Sequence, residues 1–254
     1  MDHYNPLYDS YKEGKIKDTE LALNEQNLIY GAQHWYPLLT NVTPESYLFE
    51  LSDNERKVLS IGITIPDNIE FRTSIENLIS KYQFVKTTHK SAHVFKPINN
   101  FQDFKEQILH PSITMSFRNY NCKFLLFRKW TEMNLECRVY VFKNQIRYVE
   151  VYRDEKKEFQ VDMFPSIIQF VAEQVIPKLS AIYESFTVDV FYNGGTNWQV
   201  VEINSPLWLK CGAHLIKYEW EKDRIHETSV PICRYTTVSQ KEGEDSSKEE
   251  VMEI

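Results

Sequence analysis

A β-hairpin late in the chain constrains the fold most. Two segments rich in β-branched and aromatic residues, FTVDVFY (Phe186 to Tyr192) and WQVVEIN (Trp198 to Asn204), are joined by NGGTN. A short loop with Asn-Gly between such segments is the strongest local signal for a hairpin. Asp189 interrupts the apolar first strand. Glu202 and Asn204 lie two residues apart and therefore point to one face of the second strand.

These three oxygen-bearing side chains are candidate metal ligands. A carboxylate among Val and Phe side chains is costly to bury unless it is paired or binds a cation. Mg²⁺ prefers oxygen ligands and commonly shares them with nucleotide phosphates. The spacing is equally compatible with an ordinary ion-pair network, in which Asp189 and Glu202 meet Arg or Lys. Both interpretations stay open at this point.

Basic side chains lie on or beside the β-like segments that precede the hairpin. Glu136 and Arg138 share a face by the period of two, and Arg153 ends the next β-like segment. Any one Lys or Arg is better explained by a solvated strand edge, so only the whole set suggests a polyphosphate-binding face. The set comprises Lys86, Lys90, Arg128, Lys129, Arg138 and Arg153.

The remaining pattern mixes helical and extended segments and predicts an α+β protein. Apolar spacing predicts helices over residues 69–83, 101–110 and 163–183, with Pro111 ending the second and Pro177 kinking the third. The strands predicted before the hairpin cover residues 84–88, 122–130, 136–142 and 147–153, with the apolar run Val58 to Ile65 as a further candidate. A turn at Lys143 to Gln145 indicates an antiparallel sheet.

Composition excludes several protein classes. With seven glycines the chain has no GxxxxGK[ST] or GxGxxG loop, so side chains must hold any nucleotide. Four cysteines without a CxxC pair argue against zinc and for reduced cytosolic thiols. The net charge of −7 argues against nucleic-acid binding. Since we find no membrane span, secretion signal or oligomer signal, we expect a soluble, cytoplasmic monomer.

The end of the chain differs in composition from the rest. Residues Ser239 to Ile254 hold six acids against two lysines and few apolar residues, which is typical of a disordered tail. Its Glu-rich stretch also resembles secretion signals of effectors from some intracellular bacteria, which would place the protein in a host cytoplasm. We therefore predict an N-terminal segment packing on the core (1–34), a two-lobed domain (35–235) and an acidic disordered tail (236–254).

Several segments also occur in an order that matches one known family. LLFRKWTEMNLECRVYVFKNQI (125–146) looks like a strand, Arg-Lys-Trp, loop and Glu-x-Arg-x-x-Val block, and VEVYRDE looks like the strand that follows it. TVDVFY and VVEIN are similar to Phe-Asp-Val-Tyr and Ile-Asp-Phe-Asn strands, with Glu202 in place of Asp. WYP and VKTTHKS resemble a Trp-Tyr-Pro element and a lysine-bearing strand. The series resembles the cell-division-cycle protein 123 family, a divergent ATP-grasp clade.

The resemblance covers roughly Trp35 to Trp220 and has two departures. Ser-Pro-Leu follows Asn204 where the family usually has Pro-Phe-Gly, and the stretch from Lys86 to Lys90 is shorter than its counterpart. These departures concern the substrate side and the role of Lys90 more than the metal side, where Glu can replace Asp as an oxygen ligand.

The resemblance implies an ATP-grasp fold, in which two α+β lobes hold ATP in a cleft between antiparallel sheets. The implied magnesium ligands, which bridge the ion to the phosphates, are Asp189, Glu202 and Asn204. The groups implied to neutralise or face the phosphates are Lys86, Lys90, Arg138 and Arg153, of which the two arginines would be catalytic. The hinge strand beside adenine would run from Phe127 to Trp130 and include Arg128 and Lys129.

Three functions follow as expectations. The family binds the gamma subunit of eukaryotic translation initiation factor 2 and promotes assembly of that complex, which implies an ATP-binding assembly factor or chaperone. The same site would serve an ATP-dependent carboxylate–amine ligase that modifies a protein or a small molecule. A binding module with a purely structural charged sheet is the third.

Overall fold

The structure, a computed structural model, describes residues 29–88, 97–120, 122–156, 158–194, 197–205, 230–241 and 244–253. The chain divides into two units, Met1–Glu132 and Met133–Ile254, and each is described by itself. Both combine helices with a sheet, which confirms the predicted α+β class. The predicted segment boundaries at residues 34 and 235 stay predictions.

The first unit is built on a three-stranded antiparallel sheet. Its strands are β1 (Ser46–Glu50), β2 (Phe84–Thr87) and β3 (Phe124–Arg128), with β3 in the centre. Its helices are α1 (Ala32–Trp35), α2 (Asp53–Ile61), α3 (Ile69–Ile79), α4 (Phe101–Ile108) and α5 (Pro111–Tyr120). A 3₁₀ turn, Tyr36–Leu38, follows α1.

One face of this sheet packs into the core of the first unit. Val85, Leu125 and Phe127 are fully buried there with side chains from α2 to α5, including Phe71 and Phe104. Because successive side chains of a strand point to opposite faces, Lys86 and Arg128 lie on the other face.

The apolar run Val58 to Ile65 is not a strand, and that prediction was wrong. Ser52 caps α2 in a capping box: its N–H donates to Glu55 Oε2 at 2.7 Å, and Glu55 N–H donates to Ser52 Oγ at 3.3 Å. Gly62, with φ of 75°, ends the helix in the left-handed conformation. These end signals outweigh the β-branched run between them.

Proline has a different role at position 111 from the one predicted. Helix α4 ends at Ile108, two residues before the predicted end at position 110, and Pro111 begins α5 rather than only stopping its predecessor. Proline is tolerated in a first helical turn, where its missing N–H has no partner to lose. Asn100 is the N-cap of α4, since its Oδ1 accepts from the N–H of Asp103 at 2.9 Å.

The second unit contains a six-stranded sheet in the order β7-β6-β4-β5-β8-β9. Its strands are β4 (Leu135–Phe142), β5 (Gln145–Asp154), β6 (Phe186–Tyr192), β7 (Trp198–Asn204), β8 (Ile232–Lys241) and β9 (Glu244–Glu253). All pairs are antiparallel except β5 with β8. Lys143 and Asn144, with φ of 51° and 58°, form the predicted turn between β4 and β5.

The predicted long helix of the second unit is present with an irregularity before Pro177. A 3₁₀ turn (Val161–Met163) leads into α6 (Phe164–Phe170), a π-helical segment (Val171–Val175) and α7 (Ile176–Leu179). Proline lacks the N–H needed for regular helical bonding, which accounts for the change just before it. Trp198 Nε1 of β7 donates to Ser166 Oγ of α6 at 3.0 Å, and this contact ties the helix to the sheet.

The acidic end of the chain differs from its predicted disorder. Residues 244–253 form β9, which pairs antiparallel with β8 from Ile232↔Glu253 to Lys241↔Glu244. Backbone hydrogen bonding along a sheet edge is open to any residue except proline, so acidic composition alone does not prevent a strand.

Candidate functional site

Charged side chains gather on one face of the second unit's sheet. In register, Glu150 of β5 lies opposite Arg138 of β4, Arg138 opposite Asp189 of β6, and Asp189 opposite Glu202 of β7. These four residues form one row across four neighbouring strands. We call the face that carries this row the polar face, and its members are Glu136, Arg138, Glu150, Arg153, Asp189, Glu202 and Asn204.

Asp189 is the most deeply buried charged group of the row, with a side chain that is 5% exposed. Arg138 forms a bidentate ion pair with it: Nε donates to Oδ1 at 2.5 Å, and an Nη donates to Oδ2 at 2.8 Å. Asn204 Nδ2 also donates to Oδ2, at 3.3 Å. A two-pronged bond of this kind is among the stronger hydrogen-bonding arrangements in proteins.

The pKa of Asp189 reflects opposing influences. Burial raises the pKa of its carboxyl, Arg138 lowers it, and the nearby carboxylates of Glu202 and Glu136 raise it again. The net direction is upward, because the desolvation of the carboxylate is the largest contribution. The negative charge on Asp189 therefore depends on a cation held close to it.

A second ion pair lies one row away on the polar face. Arg153 donates to Glu136 Oε1 at 2.7 Å, and it also donates to Glu155 Oε1 at 2.8 Å. The Glu136 side chain is 7% exposed, whereas that of Arg153 is 44% exposed. The hydrogen bond to Glu136 is the largest influence that raises the pKa of Arg153. Arg153 thus presents a permanent positive charge toward solvent from a buried anchor.

The oxygen donors of the polar face suit a magnesium ion. Asp189 and Glu202 are directly opposite, and Asn204 has an amide oxygen that rotation of the side chain presents in place of Nδ2. No group of three or more His, Cys, Asp or Glu within the described ranges is arranged to hold a metal. Magnesium commonly uses only one or two carboxylates and takes its other ligands from water and phosphate.

The contacts of Asp189 bear on the two interpretations of the hairpin, a metal site and an ion-pair network. The described contacts show Asp189 in an ion pair with Arg138, as the ion-pair interpretation proposes. A metal ion at Asp189 would have to share the carboxylate with Arg138 or displace it. The magnesium role of Asp189, Glu202 and Asn204 stays a prediction.

Two predicted cationic residues lie in the first unit. Lys86 is 4% exposed and Arg128 is 2% exposed. Lys86 pairs with Leu126 in register, and Phe84 pairs with Arg128. Lys86 and Arg128 are therefore diagonal neighbours on one face, with Cα atoms roughly 7–8 Å apart. Arg128 Nε donates to Ser46 Oγ at 3.1 Å.

The other predicted residues have simpler positions. Lys129 is exposed and Trp130 is partly exposed, just after β3, and Lys129 N–H donates to the carbonyl of Glu45 at 2.9 Å. Lys90 lies outside the described residues. The predicted site residues thus form two groups, one in each unit.

Sequence reasoning missed Glu150. This residue is 8% exposed and occupies the row directly opposite Arg138, on the side away from Asp189. The signal was present, because Glu150 interrupts the apolar strand segment VEVY in the way that Asp189 interrupts FTVDVFY.

Residues 74–217 match an ATP-grasp domain family, the second family of the R-two-K clade. The match covers more than half of the chain and includes Lys86 and Arg128 of the first unit and the whole polar face of the second. The chain belongs to this family. The ATP-grasp fold that the sequence resemblance implies is therefore confirmed.

Solved structures are similar to the chain in fold. The structure of Cdc123 from Schizosaccharomyces pombe superposes with a TM-score of 0.65 at 14% sequence identity, over 85% of this chain and 98% of that one. A C-terminally truncated form of the same protein gives 0.63 at 14% identity, with the same coverage. D-alanine–D-alanine ligase from Bacillus anthracis has a lower TM-score, 0.44 at 12% identity, over 82% of this chain and 69% of that one. No curated protein sequence matches the chain.

In the part of the chain that the structure describes, we find no helix that could span a membrane. Each helix there is too short or too polar to cross a bilayer.

Proposed function

We propose that this ATP-grasp protein binds ATP with Mg²⁺ and uses the bound nucleotide to promote assembly of a protein complex. The observation that carries the nucleotide part is the row on the polar face, where Asp189 and Glu202 are opposite one another and Arg138 lies beside them. Acidic groups that hold a divalent ion beside an arginine provide the charge neutralisation that triphosphate binding needs.

Each group on the polar face has a role in this proposal. Asp189, Glu202 and Asn204 would hold magnesium, whose charge would neutralise that of the phosphates. Arg138 and Arg153 face the terminal phosphate and stabilise negative charge that develops on it. Arg153 suits this role because its guanidinium is 44% exposed while Glu136 fixes its position.

The first unit supplies further cations in this proposal. Lys86 and Arg128 contribute buried positive charge toward the phosphates, and Lys90 is proposed to do the same. The segment from Phe127 to Trp130, which includes Lys129, lies beside the adenine base.

The proposed partner is the gamma subunit of translation initiation factor 2, and the proposed location is the cytoplasm. Two observations support this part of the proposal. The ordered series of motifs resembles the family that binds this subunit, and the fold matches Cdc123 over 98% of that protein's chain. In this role ATP would order a surface of the protein for the partner and would not be consumed.

The family match favours a second candidate, an ATP-dependent carboxylate–amine ligase. Such an enzyme transfers the terminal phosphoryl group of ATP to a carboxylate and releases ADP. An amine then attacks the acyl phosphate, forms an amide and releases phosphate. Incubation with ATP and the partner distinguishes the two functions: stoichiometric ADP with a mass change on the partner identifies a ligase, whereas complex formation without turnover identifies an assembly factor.

Calorimetry with magnesium and a non-hydrolysable ATP analogue tests the nucleotide site. We expect Asp189→Asn and Glu202→Gln each to weaken binding at least tenfold, because each removes one anionic ligand. Glu184→Gln is the matched control, since Glu184 is an exposed acid of the same unit that lies outside the polar face. Circular dichroism checks that the variants fold. Unchanged affinity in both site variants would refute the assignment.

A separate experiment measures binding of the protein to surface-immobilised gamma subunit. We expect binding of the wild-type protein to strengthen when magnesium and the ATP analogue are present, and Asp189→Asn to lose that increase. Binding that ignores the nucleotide would refute ATP-dependent assembly and leave the nucleotide site itself standing.

A further inference from the structure

The hydrogen bonds between Arg138 and Asp189 bear on how a metal ion would reach this carboxylate. Both carboxylate oxygens of Asp189 accept hydrogen bonds from the guanidinium, at 2.5 and 2.8 Å. Together with Asn204, Arg138 uses three of the roughly four lone-pair sites of this carboxylate, so a metal ion must share its charge with Arg138 or displace it. The two cations therefore compete for one buried carboxylate.

Burial makes this competition strong. The Asp189 side chain is 5% exposed, so water contributes little to its stabilisation, and a cation must do so. Asn204 reinforces the arrangement, because its Nδ2 donates to the oxygen that also accepts from an Arg138 Nη. A metal ion that enters alone and uses both carboxylate oxygens must break two charge-assisted bonds, and it must turn the amide of Asn204 to gain that oxygen as a ligand.

A second acidic residue on the polar face lies beside Arg138 and could receive its guanidinium. Its side chain is 22% exposed, so its outer end reaches solvent. Glu150 lies opposite it on β5, on the side away from Asp189. A guanidinium displaced from Asp189 therefore stays between an acidic neighbour and the solvent-facing side of the sheet, where a phosphate would meet it.

Bound nucleotide would favour replacement of Arg138 by a metal ion at Asp189. Free Mg²⁺ at Asp189 and Glu202 would face a displaced guanidinium of the same sign a few ångströms away. When the metal arrives with a triphosphate, phosphate oxygens replace the hydrogen bonds that Arg138 loses and neutralise the repulsion.

We propose that Arg138 is a specificity-determining residue, which excludes free divalent metal from Asp189 and admits it only together with nucleotide phosphate. This inference rests on the proposed magnesium–ATP function of the polar face. It adds a coupling between the two ligands: each should bind more tightly when the other is present, by the same factor.

Manganese, whose electron paramagnetic resonance signal reports the free ion, serves as the probe for metal alone. We expect wild-type protein to bind Mn²⁺ weakly, and a non-hydrolysable ATP analogue to tighten that binding at least tenfold. Arg138→Gln keeps a neutral amide near Asp189 but removes the competing charge. We expect it to bind free Mn²⁺ at least tenfold more tightly than wild type and to lose most of the coupling to the analogue.

Lys143→Gln is the matched control, because Lys143 is an exposed cation in the turn between β4 and β5 of the same unit and lies outside the polar face. Its affinity for free Mn²⁺ should equal that of wild type. Arg138→Lys retains charge but loses the forked grip, and we expect a smaller, several-fold gain; it also serves if Arg138→Gln fails to fold.

The outcomes separate this inference from the function on which it rests. If wild type binds the manganese–analogue complex and the Arg138 variants gain no affinity for free Mn²⁺, the exchange is refuted and the nucleotide site stands. If wild type binds no manganese–analogue complex, the proposed function and the inference both fail. An equal gain in Lys143→Gln would show a general charge effect and would also refute the role of Arg138.

Discussion

The two halves of the Arg138–Asp189 pair should contribute unequally to stability. Arg138→Met leaves a carboxylate whose side chain is 5% exposed, whereas Asp189→Asn leaves a guanidinium whose side chain is 22% exposed and reaches water. Removing one partner of a buried pair costs about 3–5 kcal/mol when the remaining charge is uncompensated. We expect about 3 kcal/mol for Arg138→Met near neutral pH. Asp189→Asn keeps an accepting oxygen, and we expect about 1 kcal/mol.

The difference between the two variants should depend on pH. Burial raises the pKa of Asp189, and Arg138 is the group that lowers it, so the pKa rises further in Arg138→Met. A carboxyl whose pKa is higher in the folded than in the unfolded state destabilises the fold above its folded-state pKa. That cost shrinks as pH falls below the folded-state pKa, because the neutral acid forms, and it is gone below the unfolded-state pKa. The destabilisation by Arg138→Met should therefore shrink on acidification, whereas that by Asp189→Asn has no such carboxyl to titrate.

Amide hydrogen exchange measured by mass spectrometry tests both statements. Peptides from β4 and β6 report the opening free energy around the pair, and peptides from β3 in the first unit are the internal control. Measurements at about pH 7.5 and about pH 5.5, corrected for intrinsic exchange, give the pH dependence. Equal effects of the two substitutions, or a difference that does not change with pH, would refute the reasoning.

Three further predictions concern features away from the polar face. Ser52→Ala removes the cap of α2 and should lower the free energy of unfolding of the first unit by about 1 kcal/mol; an unchanged urea midpoint would contradict the cap. Burial raises the pKa of Cys233 to about 12 and also raises the pKa values of Cys122 and Cys137. In a Cys211→Ser background at about pH 8, these three thiols should therefore react with a disulfide reagent only after denaturation, and fast native labelling would show that the burial is wrong. Deletion of residues 244–254 should speed amide exchange in β8 and leave affinity for the ATP analogue unchanged; slow exchange in β8 after the deletion would contradict its pairing with β9.

Local patterns predicted those parts of the candidate site that depend on a single hairpin. The period of two placed Glu202 and Asn204 on one face, and the loop between the strands brought Asp189 opposite Glu202. The same reasoning placed Glu136 and Arg138 together. In each case the turn fixes the register, so neighbours in space are close in sequence.

Contacts between distant strands were beyond reach of the sequence. The grip of Arg138 on Asp189 depends on the register of β4 against β6, which are joined through a strand and a helix. The position of Glu150 in the same row as Asp189 also depends on that sheet order. Spacing within a segment carries no information about which segment becomes its neighbour.

The errors in the fold have local physical causes. The helix α2 was taken for a strand because its β-branched residues were weighed without the capping box before them. Helix α5 was missed because Pro111 was considered only as a stop, although proline also suits a first turn. The β8–β9 pair was missed because composition describes side chains, and a strand pair is joined by its backbone.

The parallel pairing of β5 with β8 has a consequence for biosynthesis. Tyr148 to Glu150 pair with Ile232 to Arg234, which the ribosome adds roughly 80 positions later. Until those residues emerge, one edge of β5 has unpaired N–H and C=O groups beside the acid at position 150, and such an edge readily recruits strands from other nascent chains. Chaperone dependence of this protein in cells should therefore be greatest between the synthesis of β5 and the emergence of β8, and release should follow soon after β8 emerges.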